Sequence, residues 1–200
     1  MNSGATDSPR RRGAGKQALM TATLQLIGER GLNGFTLRDV AERVHMSVGS
    51  TTYHFTDRDQ LLRATLQQFS SSVVERCETL IAQWDSEQST PEQLLESMLG
   101  ELTNLFADAG ASLAQLELYV AASRHPHLAT AAADCIAAYC NLIEHALTAA
   151  GVDPAAASAR APRIVCYLDG LTLQSAATGK PMTLPAHAET TLWILATTDP

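Results

Sequence analysis

Along most of the chain apolar residues return every three or four positions, the spacing that gives a helix one buried face. From Lys16 to Arg30 the inward positions are Leu19, Thr23, Leu26 and Ile27, and Gly31 follows as a C-cap would. Leu37, Val40, Ala41 and Val44 form the next stripe, behind Thr36 as N-cap and Asp39 as the reciprocal residue of a capping box. After the turn His45-Met46, Ser47 can cap a short third helix that reaches about Tyr53. Thr56 can cap a long fourth, from Asp57 to about Trp84, with Leu61, Leu62, Thr65, Leu66, Phe69, Val73, Arg76, Cys77 and Leu80 on its inner face. Thr90-Pro91-Glu92-Gln93 is a helix start, an N-cap with Pro at the first helical position, and that helix should run to about Ala109 with Gly110 as punctuation. Further helices are predicted over Ala111–Arg124, from Pro126 to Gly151, and from Asp153-Pro154 to Gly179-Lys180-Pro181, where Pro162 should kink or divide the run. A last one covers Pro185–Thr197. No stretch alternates β-branched and polar residues, and no repeat appears. The pattern predicts an all-α fold.

Composition agrees with the pattern. The 200 residues are 46% hydrophobic but only 5% aromatic, and Ala and Leu supply much of the apolar content. No run approaches the roughly 20 apolar residues of a membrane span. Residues 1–16 are basic and polar with no apolar stretch behind them, so a secretory signal is not expected and a cytoplasmic location is. Cys77, Cys135, Cys140 and Cys166 lack C-x-x-C spacing and read as buried thiols. Charge divides the chain. Residues 1–63 hold nine Lys and Arg against six Asp and Glu, whereas residues 64–200 hold five against fifteen. A polyanion should touch only the front end.

That front end contains helix, tight turn and helix within Thr36–Phe55, the geometry of a helix-turn-helix. In such a motif the second helix presents its first residues to base edges while the first braces on the backbone. Gly49, Ser50 and Thr51 leave little bulk, and the hydroxyls of Ser47, Ser50, Thr51 and Thr52 can bond phosphate or base edges. Tyr53 and His54 suit phosphate contact at the groove wall, and Arg38 suits a phosphate clamp. Val48 and Phe55 are predicted to face the small core. Lys16, Arg43 and Arg58 could add salt-sensitive affinity, and Arg10, Arg11 and Arg12 could form an arm for the minor groove. Taken alone, residues 47–56 could be a capped turn with Arg38 a solvated charge; the flanking residues argue otherwise.

Leu26-Ile27-Gly28-Glu29-Arg30-Gly31, Thr36-Leu37-Arg38-Asp39-Val40-Ala41, Ser47-Val48-Gly49-Ser50, Tyr53-His54-Phe55, Asp57 and Leu61-Leu62 together resemble the TetR family of bacterial regulators. The resemblance covers about residues 13–73. It implies a three-helix DNA-binding domain over 13–73 with its helix-turn-helix at 36–55; ahead of it, residues 1–12, without periodicity and ending in Arg10–Arg12, are expected to be a disordered basic arm. It also implies a larger helical regulatory and dimerisation domain over 74–200, usually holding a ligand pocket, in which a bound ligand shifts the long connecting helix. Two differences stand out. His45 occupies a turn position where Gly is usual, and His tolerates a positive φ better than most residues. Thr52 stands where the family usually has an aromatic against phosphate, which bears on one backbone contact per head.

Two heads must sit about 34–36 Å apart to reach successive major grooves, so a homodimer is expected. The runs Arg163–Thr178 and Pro185–Thr197 could pair with their twins as a four-helix bundle, with Leu168, Leu171, Leu192 and Leu195 at the seam or else in ordinary core. A pocket between the fourth helix and those after it could be lined by Phe69, Trp84, Phe106, Leu116, Tyr119 and Cys166, although each is also the kind of residue a core buries. Glu117 and Asp169 sit inside apolar runs and could orient a polar ligand group, or serve as caps or interhelical bonds. His125 and His127 could begin a metal site, but Cys135 and Cys140, five apart, diverge around their helix. No phosphate loop, nucleophile elbow or H-E-x-x-H is present, so neither an enzyme nor a metal or cofactor is expected. The expected function is a transcriptional regulator, in its simplest form a repressor of double-stranded operator DNA released by a small-molecule effector. The alternative is a helical ligand-binding or interaction protein that does not read DNA.

Overall fold

The computed structural model describes residues 9–87, 109–178 and 188–197, together with residues 90, 93, 94, 97, 98 and 100. The fold is all-α. The helices are α1 (Pro9–Arg30), α2 (Leu37–Arg43), α3 (Val48–His54), α4 (Arg58–Glu87), α5 (Ala109–Ala122), α6 (Pro126–Ala149), α7 (Pro154–Thr178) and α8 (Ala188–Thr197). The expected Phe106 and the start of the last helix at Pro185 lie outside the described residues.

The predicted caps form. Thr36 and Asp39 make a complete capping box at the head of α2, and the Ser47 hydroxyl accepts from the Ser50 N–H at 3.0 Å at the head of α3. Between them His45 adopts φ 55°, the left-handed conformation its turn position demands. The Thr90 hydroxyl accepts from the Gln93 N–H, and the Thr90 N–H donates to the Gln93 side chain at 2.8 Å. At α4 the cap moves by one residue. Asp57, not Thr56, accepts from the Gln60 N–H at 2.7 Å, and the Gln60 side chain reaches back to the Thr56 N–H.

Three sequence expectations are corrected. Arg10, Arg11 and Arg12 are not a disordered arm but part of α1, because Pro9 is tolerated at a first helical position and nothing after it breaks the helix. The disorder expected for residues 1–8 lies outside the described residues. Gly110 does not end a helix; it is the second residue of α5. Pro162 sits inside an undivided α7. The carbonyl it deprives of a partner belongs to Ser158, which is exposed as Pro162 is, so water can replace the missing donor.

One continuous core holds the helices together. Leu19, Leu26 and Ile27 of α1 pack with Phe35, Val40, Phe55 and Leu61, all essentially buried. The same core continues through Val73 and Cys77 of α4 to Leu118 of α5, Cys135 and Ile143 of α6, and Ile164 and Leu168 of α7. α4 packs along α6 and α1, while α1 also packs on α5. The expected domain boundary at residues 73 and 74 therefore falls within one unbroken helix.

Candidate functional site

The outer face of α3 is the first candidate. Ser47, Val48, Gly49, Ser50, Thr52 and Tyr53 are all exposed, with Tyr53 at 60% of its full accessibility. The hydroxyls are pre-set. Ser47 and Ser50 share a hydrogen bond of 2.9 Å, and Thr52 donates to the Gly49 carbonyl at 3.0 Å. Tyr53 and His54 meet edge to face, and His54 is half-buried against Gly15 of α1. Phe55 closes the inner side under the Lys16 ammonium, which stands 5.8 Å from its ring. Arg38 on α2 is 80% exposed and pairs with Glu42 at 3.0 Å, a surface contact worth about 0–1 kcal/mol that a phosphate can replace.

Several assignments change here. Thr51 is fully buried and donates to the Ser47 carbonyl, so it is a core residue of the head and does not face DNA. Val48, expected inside, is 45% exposed, because it sits at the first position of α3, beyond the edge of the core. Arg43 is held by Glu29 through two bonds of 2.6 and 2.7 Å, and the Glu29 carboxyl is lowered chiefly by that hydrogen bonding. Arg58 turns inward. It donates to the carbonyls of Leu32 and Phe35 and lies 4.6 Å from the centre of the Phe35 ring. Neither arginine is available as a simple surface charge.

The second candidate is a cavity between α4, α5, α6 and α7. Its walls include Leu80, Leu142, Ile143, Val165 and Leu168, and its polar lining includes Arg76, Gln115, Tyr139, Asp169 and Thr172. Its free volume is about 40 Å³, within a cleft of about 670 Å³ that includes its open mouth. A hydrogen-bonded chain crosses it. Arg76 donates to the Tyr139 hydroxyl at 3.4 Å, Tyr139 donates to Gln115 Oε1 at 3.0 Å, and Gln115 Nε2 donates to Asp169 Oδ1 at 3.0 Å. Burial pushes the Asp169 carboxyl up to about 6, against the opposing effect of the Gln115 bond. Burial likewise raises Tyr119 and Tyr139, and pushes the Cys135 thiol up to about 12.

Residues 19–65 match the family described as bacterial regulatory proteins, tetR family, and residues 89–197 match the tetracyclin repressor-like C-terminal domain. The chain belongs to the TetR family. The HTH-type transcriptional regulator CymR of Pseudomonas putida is 31% identical over 127 residues, a match spanning 60% of this chain and 60% of that relative. A TetR-family member from Streptomyces coelicolor aligns with 92% of this chain and 98% of its own at 30% identity and a TM-score of 0.62. The multidrug binding protein EbrR, complexed with imidazole, aligns with 100% of this chain and 99% of its own at 30% identity and a TM-score of 0.62. EbrR has also been crystallised with proflavin, ethidium and malachite green.

Within this TetR-type chain the structure sorts the expected pocket residues. Asp169 lines the cavity. Phe69 and Trp84 are buried elsewhere in the core, with Trp84 donating to Ser97 at 3.0 Å and stacked on His145. Tyr119 donates to Cys135 Sγ at 3.9 Å, and Leu116 and Glu117 are half-buried outside the lining, Glu117 facing Gly31. Cys166 is exposed and is neither lining nor a buried thiol. Arg76, Gln115, Tyr139 and Thr172 were missed as lining. The available signal was a polar residue at a position where the apolar stripe faces inward. Of the expected seam residues, Leu168 lines the cavity and Leu192 is buried within the chain, so neither faces outward. Leu171 and Leu195 are half-buried, whereas Leu173 and Ile194 are 59% and 51% exposed. Among the described residues no three His, Cys, Asp or Glu are grouped to hold a metal ion, and no helix is long and apolar enough to cross a membrane.

Proposed function

We propose that the chain is a DNA-binding transcriptional repressor, released from its operator when a small molecule enters the cavity between α4, α5, α6 and α7. The observation that carries the DNA half is the exposed face of α3, where hydroxyls and a glycine leave the backbone open to close approach. The contacts are Ser47, Gly49, Ser50, Thr52, Tyr53 and His54, with Arg38 as a phosphate clamp. The DNA head is then residues 13–73, with its helix-turn-helix at 36–55, and residues 74–200 form the regulatory and dimerising part. Two copies pair through α7 and α8, using the outward Leu171, Leu173, Ile194 and Leu195, to set two heads on successive grooves. The effector half is supported by the polar chain in an apolar cleft, and by EbrR taking up proflavin, ethidium and malachite green.

The test is fluorescence anisotropy on a labelled duplex of the intergenic DNA beside the gene, against a shuffled duplex of equal length. Selective binding should weaken steeply as salt rises and should drop for Tyr53→Ala and Arg38→Ala. Equal affinity for both duplexes, or a single-subunit mass in light scattering, would leave a helical ligand-binding or interaction protein instead.

A further inference from the structure

Asp169 is the one carboxylate among the described lining residues of the cavity, and it has no cationic partner among them within ion-pair distance. Gln115 Nε2 donates to its Oδ1, and Tyr139 holds that amide in place by donating to Oε1. Oδ2 has no hydrogen bond among the described residues. The ionisable groups around it are Arg76 and Cys77 of α4, Tyr119 of α5, and Cys135, Tyr139 and Cys140 of α6. Burial raises both phenols and the thiols of Cys135 and Cys140, so these four stay neutral near pH 7. Arg76 is exposed and tied to Tyr139 at the far end of the chain, two residues removed from the carboxylate.

We propose that Asp169 reads the charge of the effector, and that the effector is an organic cation. Its apolar body lies along Leu80, Leu142, Ile143, Val165 and Leu168, and its positive centre sits against Asp169 Oδ2. The inference rests on the effector reading of the cavity given above. A half-buried carboxylate without a counter-ion is costly, and a cationic ligand supplies that counter-ion where the dielectric is below that of water. An anion would meet Asp169 as a like charge, with the rim guanidinium of Arg76 the one compensating cation among the described lining residues. The Gln115–Tyr139 pair fixes the carboxylate's rotamer and leaves one oxygen for the ligand, an orientation suited to a single positive centre.

The probe is ethidium, a permanent cation, titrated by fluorescence into the full chain without DNA. The anionic dye anilinonaphthalene sulfonate serves as comparison. The wild type should bind ethidium in preference to the anion, and Asp169→Asn, which can still accept from Gln115, should weaken ethidium by about tenfold or more. Wild-type affinity should fall between pH 7.5 and 5 as a proton competes for Asp169, while the Asp169→Asn profile stays flat. Preference for the anion, equal ethidium affinity in the two proteins, a flat wild-type pH profile or no ethidium binding at all would each overturn the proposal. The dye-free duplex assay separates the two ideas. Selective DNA binding without an Asp169-dependent ethidium response leaves the regulator standing and this inference fallen.

Discussion

Gly28 of α1 and Gly110 of α5 meet backbone to backbone, so close that a Cβ on Gly28 would lie 2.4 Å from the Gly110 Cα. The contact joins the head to the helix that carries Gln115 into the cavity five residues later. No flexible side chain is there to give way, so Gly28→Ala must push two helices apart. The gain in helix propensity, about 1 kcal/mol, is outweighed by an overpacking cost of about 1–3 kcal/mol. Urea unfolding should show a lower midpoint at constant slope; an unchanged midpoint would mean the helices slide apart without strain.

Thr51 and Tyr53 are two residues apart on α3 but do different work. Thr51→Ala removes a buried methyl and a hydroxyl bonded to Ser47, and should cost about 1–2 kcal/mol of stability. Tyr53→Ala should leave the melting temperature within about 0.5 kcal/mol equivalent, as exposed substitutions do, and weaken duplex binding. Calorimetry and anisotropy on the same preparations would show this crossing of effects. Parallel losses in both variants would contradict it.

The Asp169 carboxyl stands at about 6 in the folded chain, above its unfolded value of about 3.9. The folded state therefore binds more protons across that window, and stability falls as pH rises through it. Asp169→Asn removes the cost of burying an ionised group. Its melting temperature should exceed the wild type's at pH 7.5, and the gain should shrink toward zero near pH 4. Scanning calorimetry across pH measures it, and a gain independent of pH would show that the carboxylate is ionised in both states alike.

Arg58 anchors the start of α4 to the loop after α1 through the Leu32 and Phe35 carbonyls. Arg58→Ala leaves two partly buried acceptors unpaired and exposes the Phe35 face, a loss of about 2 kcal/mol or more. Lysine, a single point donor, cannot span both carbonyls, so Arg58→Lys should recover less than half of it. Chemical denaturation of the three proteins decides the point; full recovery by Lys would reduce the role of Arg58 to its charge.

Caps and stripes were the legible part of the fold. Thr36 with Asp39, Ser47, Thr90 with Gln93, and the left-handed His45 all follow from local chemistry that needs no distant partner. Residue type alone misranked α3, since Val48 is exposed and Thr51 buried: in a helix of seven residues, position along the axis outweighs polarity. Gly110 reads as a helix breaker until α1 is known to cross it. Arg43 and Arg58 read as surface charges because a sequence does not show where a long side chain folds back. The cavity was half legible. Asp169 announced itself by lying inside an apolar run, but its companions Arg76, Gln115 and Tyr139 come from three other helices and converge only when those helices pack.

The free volume of the cavity, about 40 Å³, matches a few water molecules. A dye-sized guest filling it deeply would press on the walls that α4, α5, α6 and α7 supply. α4 runs on from the helix-turn-helix and α5 is keyed to α1 through the glycine pair, so on the proposed reading a widening of the cavity reaches the helices that hold α3. On the proposed repressor reading, occupancy and displacement are one event, and a guest's potency depends on how far it wedges the bundle as much as on how tightly it is gripped.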